Sequence, residues 1–268
     1  MNLRWSFLVI SVLTLRAVLA VCFAQADKPW ERPGTKVGDE ITGPDGGKMV
    51  WVPAGGFEMG SPEGEGYSWE HPAHRVGITK GFWLGKCEVT NAGYRQYCRE
   101  TGAEFPKDSD QADNHPVVCV TLAEAKAYCK HYELSLPTET QWEYAARGPE
   151  GRKYPWGNEW DPKKCCNNAN QGPKGTTFPV GSLSPGNSWC GASDLAGNVW
   201  EWCRDWYGEK YYAQSPTDDP QGPDSGEYGV LRGGSWYVDA GYCRSAFRNW
   251  FLPSLRYSYN GFRAARTP

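Results

Sequence analysis

The stretch of sequence that decides the fold reads Leu231-Arg232-Gly233-Gly234-Ser235-Trp236. It is followed by Gly241-Tyr242-Cys243-Arg244-Ser245-Ala246 and closed by Asn260-Gly261-Phe262-Arg263. Two glycines and a small hydroxyl lie beside an aromatic residue, and a cysteine follows eight residues after the serine. Such a stretch is typical of the floor of a site rather than of ordinary core.

The composition of the chain limits its fold class and its partners. The 268 residues suffice for one large domain or two small ones. Glycine and proline number 32 and 20, which favours a loop-rich fold with short elements over a helical bundle. The net charge is −3 and no run of lysine and arginine stands out, so the sequence lacks the electrostatic footprint of a nucleic-acid-binding protein.

The first 24 residues have the pattern of a secretory signal peptide. Arg4 supplies a positive charge, residues 7–20 are mostly apolar, and small residues near 22–25 allow cleavage. The run is short and contains Arg16, so no membrane span is expected in the mature chain. We therefore predict export to the periplasm or the cell exterior, with an uncleaved N-terminal membrane anchor as the alternative.

Export bears on the cysteines, because oxidising compartments permit disulfides. Of ten cysteines, nine follow Cys22, and an odd count leaves at least one thiol unpaired in a monomer. Cys165 and Cys166 are adjacent and are not expected to pair with each other. The sequence contains no Cys-x-x-Cys motif, so nothing supports a zinc-ribbon site.

Behind the signal peptide the sequence predicts a polar linker over residues 25–47 and a folded domain over 48–266. Three helices are marked by their caps: Thr90 begins a helix to about residue 100, and two capping boxes begin the others. The boxes are Thr121 with Glu124, for a helix to about Tyr132, and Thr138 with Gln141, for a helix over 139–147. After Gly148 the pattern indicates short strands and ordered loops.

Further blocks of sequence occur in one order with the opening stretch. They are Val52-Pro53-Ala54-Gly55-Gly56-Phe57-Glu58-Met59-Gly60-Ser61, Glu88-Val89-Thr90-Asn91, Leu136 to Gly148, Tyr154-Pro155-Trp156-Gly157-Asn158 and Leu195 to Trp202. Together the blocks closely resemble the formylglycine-generating enzyme, or sulfatase-modifying factor, family over about residues 48 to 266. The resemblance implies an α+β fold of the C-type-lectin-like kind, with short strands, ordered loops and about three helices.

Enzymes of that family oxidise a sulfatase cysteine to formylglycine with oxygen, and they hold Cu(I) between two cysteines. Soft thiolates suit this soft ion. Cys243 corresponds to the second of these cysteines, but Val238 stands at the first position and has no donor atom. The complete two-thiolate copper site of the family is therefore absent, which places the copper cofactor in doubt.

Other residues of that site match the family. Ser235 corresponds to the active-site serine, so Ser235 and Cys243 are the candidate catalytic residues, and Trp200 and Tyr242 correspond to aromatics near the copper. Purely structural roles also remain open for these two residues. Ser235 fits a serine that stabilises a turn, and Cys243 fits a buried structural thiol. A reactive thiol needs nearby positive charge, which stabilises the thiolate. The neighbouring Arg244 and Arg248 supply this charge unless they form salt bridges.

The resemblance also implies calcium. Asp194, Glu201 and the carbonyls of Gly197 and Val199 match a calcium loop of the family, and calcium prefers such oxygen ligands. A second calcium site would use Asn167 or its neighbour, but the loop after it lacks the expected acid. The alternative is that the two carboxylates accept hydrogen bonds from backbone amides and arginine.

The C-terminal part is rich in aromatic residues, with seven between positions 237 and 260. Exposed tyrosine and tryptophan on rigid loops are typical of recognition surfaces. The candidate ligand-binding residues are Trp200, Trp236, Tyr237, Tyr242 and Trp250, and the expected partner is a protein, a peptide or a small ligand. Some of these rings would instead fill the core.

Three hypotheses follow from the sequence. The favoured one is a non-catalytic or repurposed binding module whose fold calcium supports. The alternative is a copper- and oxygen-dependent oxidase that forms formylglycine, or a related oxidative enzyme. A third keeps the binding role and adds diversification, because the tail also resembles the lectin-fold variable proteins of diversity-generating retroelements.

Overall fold

The computed structural model describes residues 27–109, 111–173 and 175–268. The predicted signal peptide lies outside the described residues. The three predicted helices are all present. They are α1 (Asn91–Thr101), α2 (Leu122–His131) and α3 (Glu139–Arg147). None of the described residues forms a helix long and apolar enough to cross a membrane.

The helices begin where their capping residues predict. The Thr90 side chain accepts a hydrogen bond from the Gly93 amide at 3.2 Å, which satisfies a donor that the first turn leaves free. Both capping boxes are formed, by Thr121 with Glu124 and by Thr138 with Gln141. Since cap bonds depend on residues only three apart, the local sequence was sufficient to predict them.

The strands are short and form three sheets. They are β1 (Glu40–Thr42), β2 (Lys48–Val52), β3 (Gly55–Met59), β4 (His74–Ile78), β5 (Phe82–Gly85), β6 (Trp200–Trp206), β7 (Gly229–Arg232), β8 (Asn249–Phe251), β9 (Asn260–Gly261) and β10 (Ala265–Arg266). One sheet has the antiparallel order β1-β2-β5-β10, and a second pairs β3 with β4. The third has the order β8-β7-β6-β9, in which only β6 and β9 run parallel.

The predicted linker over 25–47 needs correction, because part of it belongs to the folded domain. Strand β1 lies inside it and pairs with β2, with Glu40 opposite Val50. Trp30 packs against the core, and the carbonyl of Arg32 accepts a hydrogen bond from the Trp83 indole at 2.9 Å. The sequence does not reveal this strand, because its three residues contain a single apolar side chain and so show no alternation of apolar and polar residues.

Two hydrophobic clusters form the core. The first joins α1 and α2 to the third sheet, with Tyr94 and Tyr128 stacked at 5.7 Å and Trp202 fully buried. The second joins α3, through Trp142, to the strands β2 to β5. The largest fully buried side chains also include Arg232, Arg248 and Arg263. A buried arginine charge needs a compensating partner. We therefore expect carboxylates or hydrogen-bond acceptors beside each of these three side chains.

Candidate functional site

The two glycines of the opening stretch let the chain pass close to its neighbours. Gly233 and Gly234 have φ of 96° and 79°, which side chains rarely adopt. A Cβ atom on Gly234 would lie 2.9 Å from the Sγ atom of Cys243, and one on Gly233 would lie 3.0 Å from the Trp142 ring. The glycines therefore bring the turn after β7 into contact with the cysteine.

Ser235 follows the glycine that contacts Cys243, and the side chains of Ser235 and Cys243 are both completely buried. The Ser235 hydroxyl oxygen accepts a hydrogen bond from the Tyr237 amide at 3.4 Å, which is the contact of a turn serine. Cys243 ends a short 3-10 helix over Ala240–Cys243, whose other residues are wholly or partly exposed. As they lie, neither side chain faces solvent.

The two arginines that follow Cys243 are neutralised by carboxylates. Arg244 donates to both oxygens of Glu70 at 2.7 and 2.8 Å, and Arg248 donates to both oxygens of Glu139 at 2.6 and 2.8 Å. Their charge is therefore balanced in place. Hydrogen bonding with Cys165, burial and the charge of nearby groups raise the pKa of Cys243 well above its ordinary value. The thiol is consequently protonated at neutral pH.

The sequence did not predict the side chain that meets Cys243. Cys165 packs with Cys243 and Ala196 in a small buried cluster, and Val238 and two tryptophans pack against it. Cys165 and Cys243 are 2% and 0% exposed. Nearly eighty residues separate them in the sequence, so neither spacing nor periodicity links them. All nine cysteines that the structure describes are free thiols.

Two of the five predicted ligand-binding aromatics contact Phe247, and a third, Trp250, is connected to it through further rings. The Phe247 ring lies 5.7 Å from Trp200, 4.9 Å from Tyr242 and 5.5 Å from Tyr67. From Tyr67 the contacts continue through Trp69 to Trp250, which stacks on Tyr207 at 4.0 Å. We call these seven residues the aromatic face. It is exposed at Tyr67 and Tyr242, which are 41% and 37% exposed, and buried at Trp200.

The other two predicted aromatics lie in a second run. Trp236 contacts Tyr237 at 5.6 Å, and Tyr237 stacks on Tyr259 at 6.0 Å. Tyr259 stacks in turn on Tyr257, which contacts Phe251. Trp250 and Phe251 are neighbours on strand β8 and therefore point to opposite faces of the sheet. This alternation separates the second run, which we call the tyrosine ladder, from the aromatic face.

Charged groups lie directly beneath the aromatic face. The Arg248 guanidinium lies 5.0 Å from the Tyr207 ring centre and 3.9 Å from that of Tyr212. Arg248 and Arg232 share the Glu139 carboxylate, and Arg232 also pairs with Glu143. Charge-assisted hydrogen bonds between buried arginine and carboxylate hold side chains in one geometry, so these ion pairs support the rings above them.

Of the predicted calcium ligands, Glu201 is engaged elsewhere. Its carboxylate accepts two hydrogen bonds from Arg263, at 2.6 and 2.7 Å, and one from the Trp142 indole at 2.8 Å. Its charge is thus compensated by arginine, which is the alternative that the sequence left open. Among residues 27–109, 111–173 and 175–268, no three histidine, cysteine, aspartate or glutamate side chains are placed to hold a metal ion.

Asp194 has a different carboxylate beside it. It accepts a hydrogen bond from the Gly181 amide at 2.6 Å and lies within hydrogen-bonding reach of Glu88. Burial and the charge of Asp194 raise the pKa of Glu88 well above its ordinary value. One Glu88 oxygen accepts from Asn198 at 3.0 Å, while Oε2 is buried with no hydrogen-bond partner. Two facing carboxylates of this kind need a shared proton or a cation.

The remaining calcium candidates lie close by in the backbone. Gly197 and Val199 are both buried, and Gly197 forms a bridge with Cys166. Asn167 is 1% exposed, and its side-chain oxygen has no hydrogen-bond partner. Its neighbour Asn168 donates to Asp239 instead. Asn167 therefore retains a free oxygen donor, but no acidic side chain completes a cation site around it within the described residues.

Comparison with known proteins assigns this chain to a family. Residues 37–268 match the family described as the sulfatase-modifying factor enzyme 1-like domain. The chain belongs to this family. It is 35% identical over 280 residues to the formylglycine-generating enzyme of Streptomyces coelicolor, covering 81% of this chain and 88% of the relative. It is also 33% identical to the hercynine oxygenase of Mycolicibacterium smegmatis, covering 82% of this chain and 61% of the relative.

Likeness to solved structures confirms the predicted fold class. PvdO from Pseudomonas aeruginosa superposes with a TM-score of 0.77 at 28% identity, covering 88% of this chain and all of PvdO. Variable protein 1 of Treponema denticola superposes with a TM-score of 0.71 at 26% identity, covering 82% and 95% of the two chains. The α+β fold is therefore of the C-type-lectin-like kind that this family has. The match to the family described above begins at residue 37, which agrees with the place of β1 in the domain.

The position at which the family resemblance places the first copper ligand does not fit copper in this chain. Val238 is half-buried and packs against the cluster that contains Cys243. Its side chain offers only methyl groups, so Val238 and Cys243 do not form a two-thiolate pair. The neighbouring Asp239 and Tyr237 offer oxygen atoms, which Cu(I) binds poorly. No reaction step through copper at position 238 is therefore open to this chain.

Proposed function

We propose that this member of the sulfatase-modifying factor family is a binding module that recognises a protein, a peptide or a small ligand through its aromatic face. One observation carries the proposal. Rings in continuous contact lead from the exposed Tyr67 and Tyr242 through Phe247 to the buried Trp200. Such rings give a large contact area and lose little conformational entropy on binding.

Rigidity of this face supports the proposal. The rings rest on Arg248 and Arg244, each of which is fixed by two hydrogen bonds to one carboxylate. Trp250 is held on two sides, by Tyr207 and by Trp69. A surface that is already ordered before binding loses less entropy when the ligand arrives. The tyrosine ladder, with Tyr237 63% exposed, offers a second contact area of the same chemistry.

The state of the candidate catalytic residues favours binding over oxidation. Ser235 and Cys243 are both 0% exposed, and the Cys243 thiol is protonated because its pKa is raised. Nucleophilic or metal-bound cysteine chemistry requires the thiolate. The arginines beside Cys243 do not supply the missing field, because Glu70 and Glu139 balance their charge.

Calcium remains part of the proposal in a changed form. The carboxylates available to it are Asp194 and Glu88 rather than Glu201, whose oxygens Arg263 occupies. A calcium ion would take the Asp194 carboxylate, the unpaired Glu88 oxygen and nearby backbone carbonyls, which are oxygen ligands of the kind it prefers. Bound there, it would neutralise the two carboxylates and fix the loop that leads into β6.

We place the protein outside the cytoplasm, on the basis of the N-terminal sequence pattern. The signal-like residues 1–24 support export, and an aromatic recognition face on a rigid domain suits a role at the cell surface or in the periplasm. The family match and the fold are compatible with this location and do not depend on it.

Peptide display tests the binding role. A library of random peptides on phage is panned on the folded protein, and enriched peptides are synthesised and titrated against it. We expect peptides that bind the wild type and lose about tenfold or more in affinity to Tyr242→Ala and to Trp250→Ala, the loss typical of a central aromatic contact. Val37→Ala, which truncates a 42% exposed side chain outside the face, is the matched control. Equal losses in all three variants would refute the role of the face.

The second candidate function is a formylglycine-forming oxidase. It is favoured by 35% identity to the formylglycine-generating enzyme of Streptomyces coelicolor over 81% of this chain. A synthetic sulfatase peptide that contains Cys-x-Pro-x-Arg separates the two candidates. It is incubated with copper-loaded protein and oxygen and then weighed by mass spectrometry. We expect no change in mass; a loss of 18 Da at its cysteine would establish the oxidase and refute the non-catalytic proposal.

Diversification of the aromatic region would extend the binding role to many ligands. The likeness in fold to variable protein 1 of Treponema denticola, at 26% identity, supports this extension. Codons 237 to 260 are sequenced in a population grown from one cell. Variation concentrated at these codons would support it, and uniform codons would rule it out.

A further inference from the structure

We propose that a cleft between the β1–β2 turn and helix α1 binds a small carboxylic acid with an apolar body, in its anionic form. The cleft has a volume of about 490 Å³, and small-molecule sites have volumes of about 300–1,000 Å³. None of its described lining residues belongs to the aromatic face or to the tyrosine ladder. The inference is therefore independent of the proposed binding role of that face.

Three segments of the chain form the walls of the cleft. They are residues 45–49 at the end of the β1–β2 turn, residues 85–90 after β5, and the side of α1 that carries Ala92, Gln96 and Arg99. Residues three and four apart lie on the same side of a helix, so these three side chains line the cleft together. The cleft thus arises where segments from different parts of the sequence meet, and no single motif marks it.

Hydrogen bonds hold the walls in place. The Lys86 amide donates to the Lys48 carbonyl at 2.8 Å, which joins the two strand segments of the cleft. The Asp45 carboxylate accepts hydrogen bonds from the Gly47 amide and the Tyr128 hydroxyl, both at 3.0 Å, and this ties the turn to α2. A cleft whose walls are ordered before binding loses less entropy when a ligand enters.

The inner wall of the cleft is apolar. Met49, Val89 and Ala264 line it and are 2%, 7% and 3% exposed. The Tyr128 side chain and the half-buried Val180 also line the cleft. An apolar body placed against these side chains is removed from water, which is the main favourable term for binding a small organic molecule.

Positive charge is in excess at the mouth of the cleft. Lys48 and Arg99 are exposed there, and the Lys48 ammonium donates to the neutral Thr42 hydroxyl at 2.9 Å, which leaves its charge uncancelled. Against these two cations stands the single carboxylate of Asp45. A cleft lined by an excess of one sign of charge attracts ligands of the opposite sign, so the mouth favours the anionic end of the ligand.

The other two charged side chains of the wall do not change this balance. Lys86 forms an ion pair with Glu40. Glu88 is 3% exposed, and burial and the charge of Asp194 raise its pKa well above its ordinary value. A proton or the proposed calcium ion therefore neutralises Glu88. Neither side chain places an uncompensated negative charge beside an anionic ligand.

Displacement of a fluorescent dye tests the proposal on the unaltered protein. Anilinonaphthalene sulfonate is an anion with an apolar body, and its fluorescence rises in an apolar site. We expect the full chain to bind the dye and octanoate to displace it, whereas octyltrimethylammonium, with a tail of the same length and the opposite charge, should not. Equal displacement by the two probes would overturn the choice of an anion. Failure of the protein to bind either dye or octanoate would overturn the site.

A tryptophan in the mouth locates the binding. Ala92 is exposed and lines the cleft, so Ala92→Trp should weaken dye and octanoate binding by about tenfold or more, because the indole takes the space of the ligand. Ala123→Trp is the matched control, since Ala123 is also exposed and is the second residue of α2, as Ala92 is of α1. Trp250→Ala should bind the dye as the wild type does. Equal losses in the two tryptophan variants, or dye binding lost in Trp250→Ala, would overturn the site without bearing on peptide binding by the aromatic face.

Two charge variants keep the test valid if the tryptophan variant misfolds. Lys48 and Arg99 are exposed, so their replacement leaves the core intact. Lys48→Gln and Arg99→Gln should each weaken octanoate binding by roughly twofold to fivefold at low salt, as expected for a solvent-exposed charge contact. Lys163→Gln, an exposed lysine outside the cleft, should leave the affinity unchanged. Unchanged octanoate affinity in both charge variants would overturn the role of the positive mouth.

Discussion

Arg263 and Glu201 form a completely buried ion pair, with Nε 2.6 Å from Oε2 and Nη2 2.7 Å from Oε1. Arg263 also donates to the carbonyls of Gly85 and Ser193, both at 2.9 Å, and to that of Lys86 at 3.3 Å. The pair thus ties the last block of the opening stretch to β5 and β6. In a buried pair of this geometry, each charge is supported only by its partner and its hydrogen bonds.

Glu201→Gln is therefore expected to destabilise the fold strongly. The substitution keeps the shape of the side chain but leaves the Arg263 charge uncompensated, which costs about 3–5 kcal/mol of unfolding free energy. Urea denaturation followed by tryptophan fluorescence measures the change. Glu150→Gln is the control, because its ion pair with Arg152 is exposed and is expected to contribute at most about 1 kcal/mol. A loss at Glu201 no larger than in this control would contradict a structural role for the pair.

Asp205 is expected to make the fold less stable as the pH rises towards neutrality. Burial and the charge of Glu139 raise its pKa to about 7. The folded state then holds this proton more tightly than the unfolded chain does. The contribution of Asp205 to stability is complete below about pH 4 and is lost as the pH rises through about 7. The loss is up to about 4 kcal/mol.

Denaturation of the wild type and Asp205→Asn between pH 4 and pH 8 checks this expectation. The amide still accepts the hydrogen bond that the Glu139 backbone amide donates to Asp205 at 2.9 Å, and it has no proton to lose. The variant should show a smaller decline across this range and greater stability than the wild type at pH 8. Asp224→Asn, on an exposed loop, should keep the wild-type decline. A variant that declines as steeply as the wild type would refute the role of Asp205.

Calcium is expected to stabilise the fold by binding to Asp194 and Glu88. In EDTA the two facing carboxylates share a proton, because burial raises the pKa of both groups. Excess calcium should raise the melting temperature at pH 8, where the ion replaces that proton, and it should do so less at pH 5. Glu88→Gln removes one ligand and should reduce the rise in melting temperature that calcium causes. Glu201→Gln should melt at a lower temperature than the wild type but should still show a rise with calcium. No rise with calcium in the wild type would mean that the pair binds only a proton.

The sequence could predict the features that depend on neighbouring residues, and it could not predict those that depend on contacts between distant segments. The helices were predictable because Thr121 and Glu124, like Thr138 and Gln141, interact across a single helical turn. Strand β1 was missed because its position depends on pairing with β2 rather than on its own pattern. The family resemblance located Cys243, but the approach of Cys165 depends on backbone bonds between distant loops, which no local pattern reveals.

The same reasoning applies to charge. Arg244 and Arg248 were correctly singled out, but the sequence left open whether they activate a thiol or form ion pairs. Their partners, Glu70 and Glu139, precede them by more than one hundred residues. Similarly, the carboxylate beside Asp194 proved to be Glu88, from a block that the sequence tied only to the start of α1. Residue type identified the charged groups, and the fold selected which of them meet.

Restoring a second thiol beside Cys243 should create a copper site. Val238 packs against the cluster that contains Cys243, so a thiol at position 238 would lie beside the Cys243 thiol. Val238→Cys should therefore bind Cu(I) more tightly than the wild type does, because two thiolates can then share one ion. Competition with a chromogenic Cu(I) chelator under anaerobic reducing conditions measures the affinity, with Val238→Ala as the control for a smaller side chain. Failure of Val238→Cys to bind Cu(I), in folded protein, would show that the loop after β7 no longer has the family geometry.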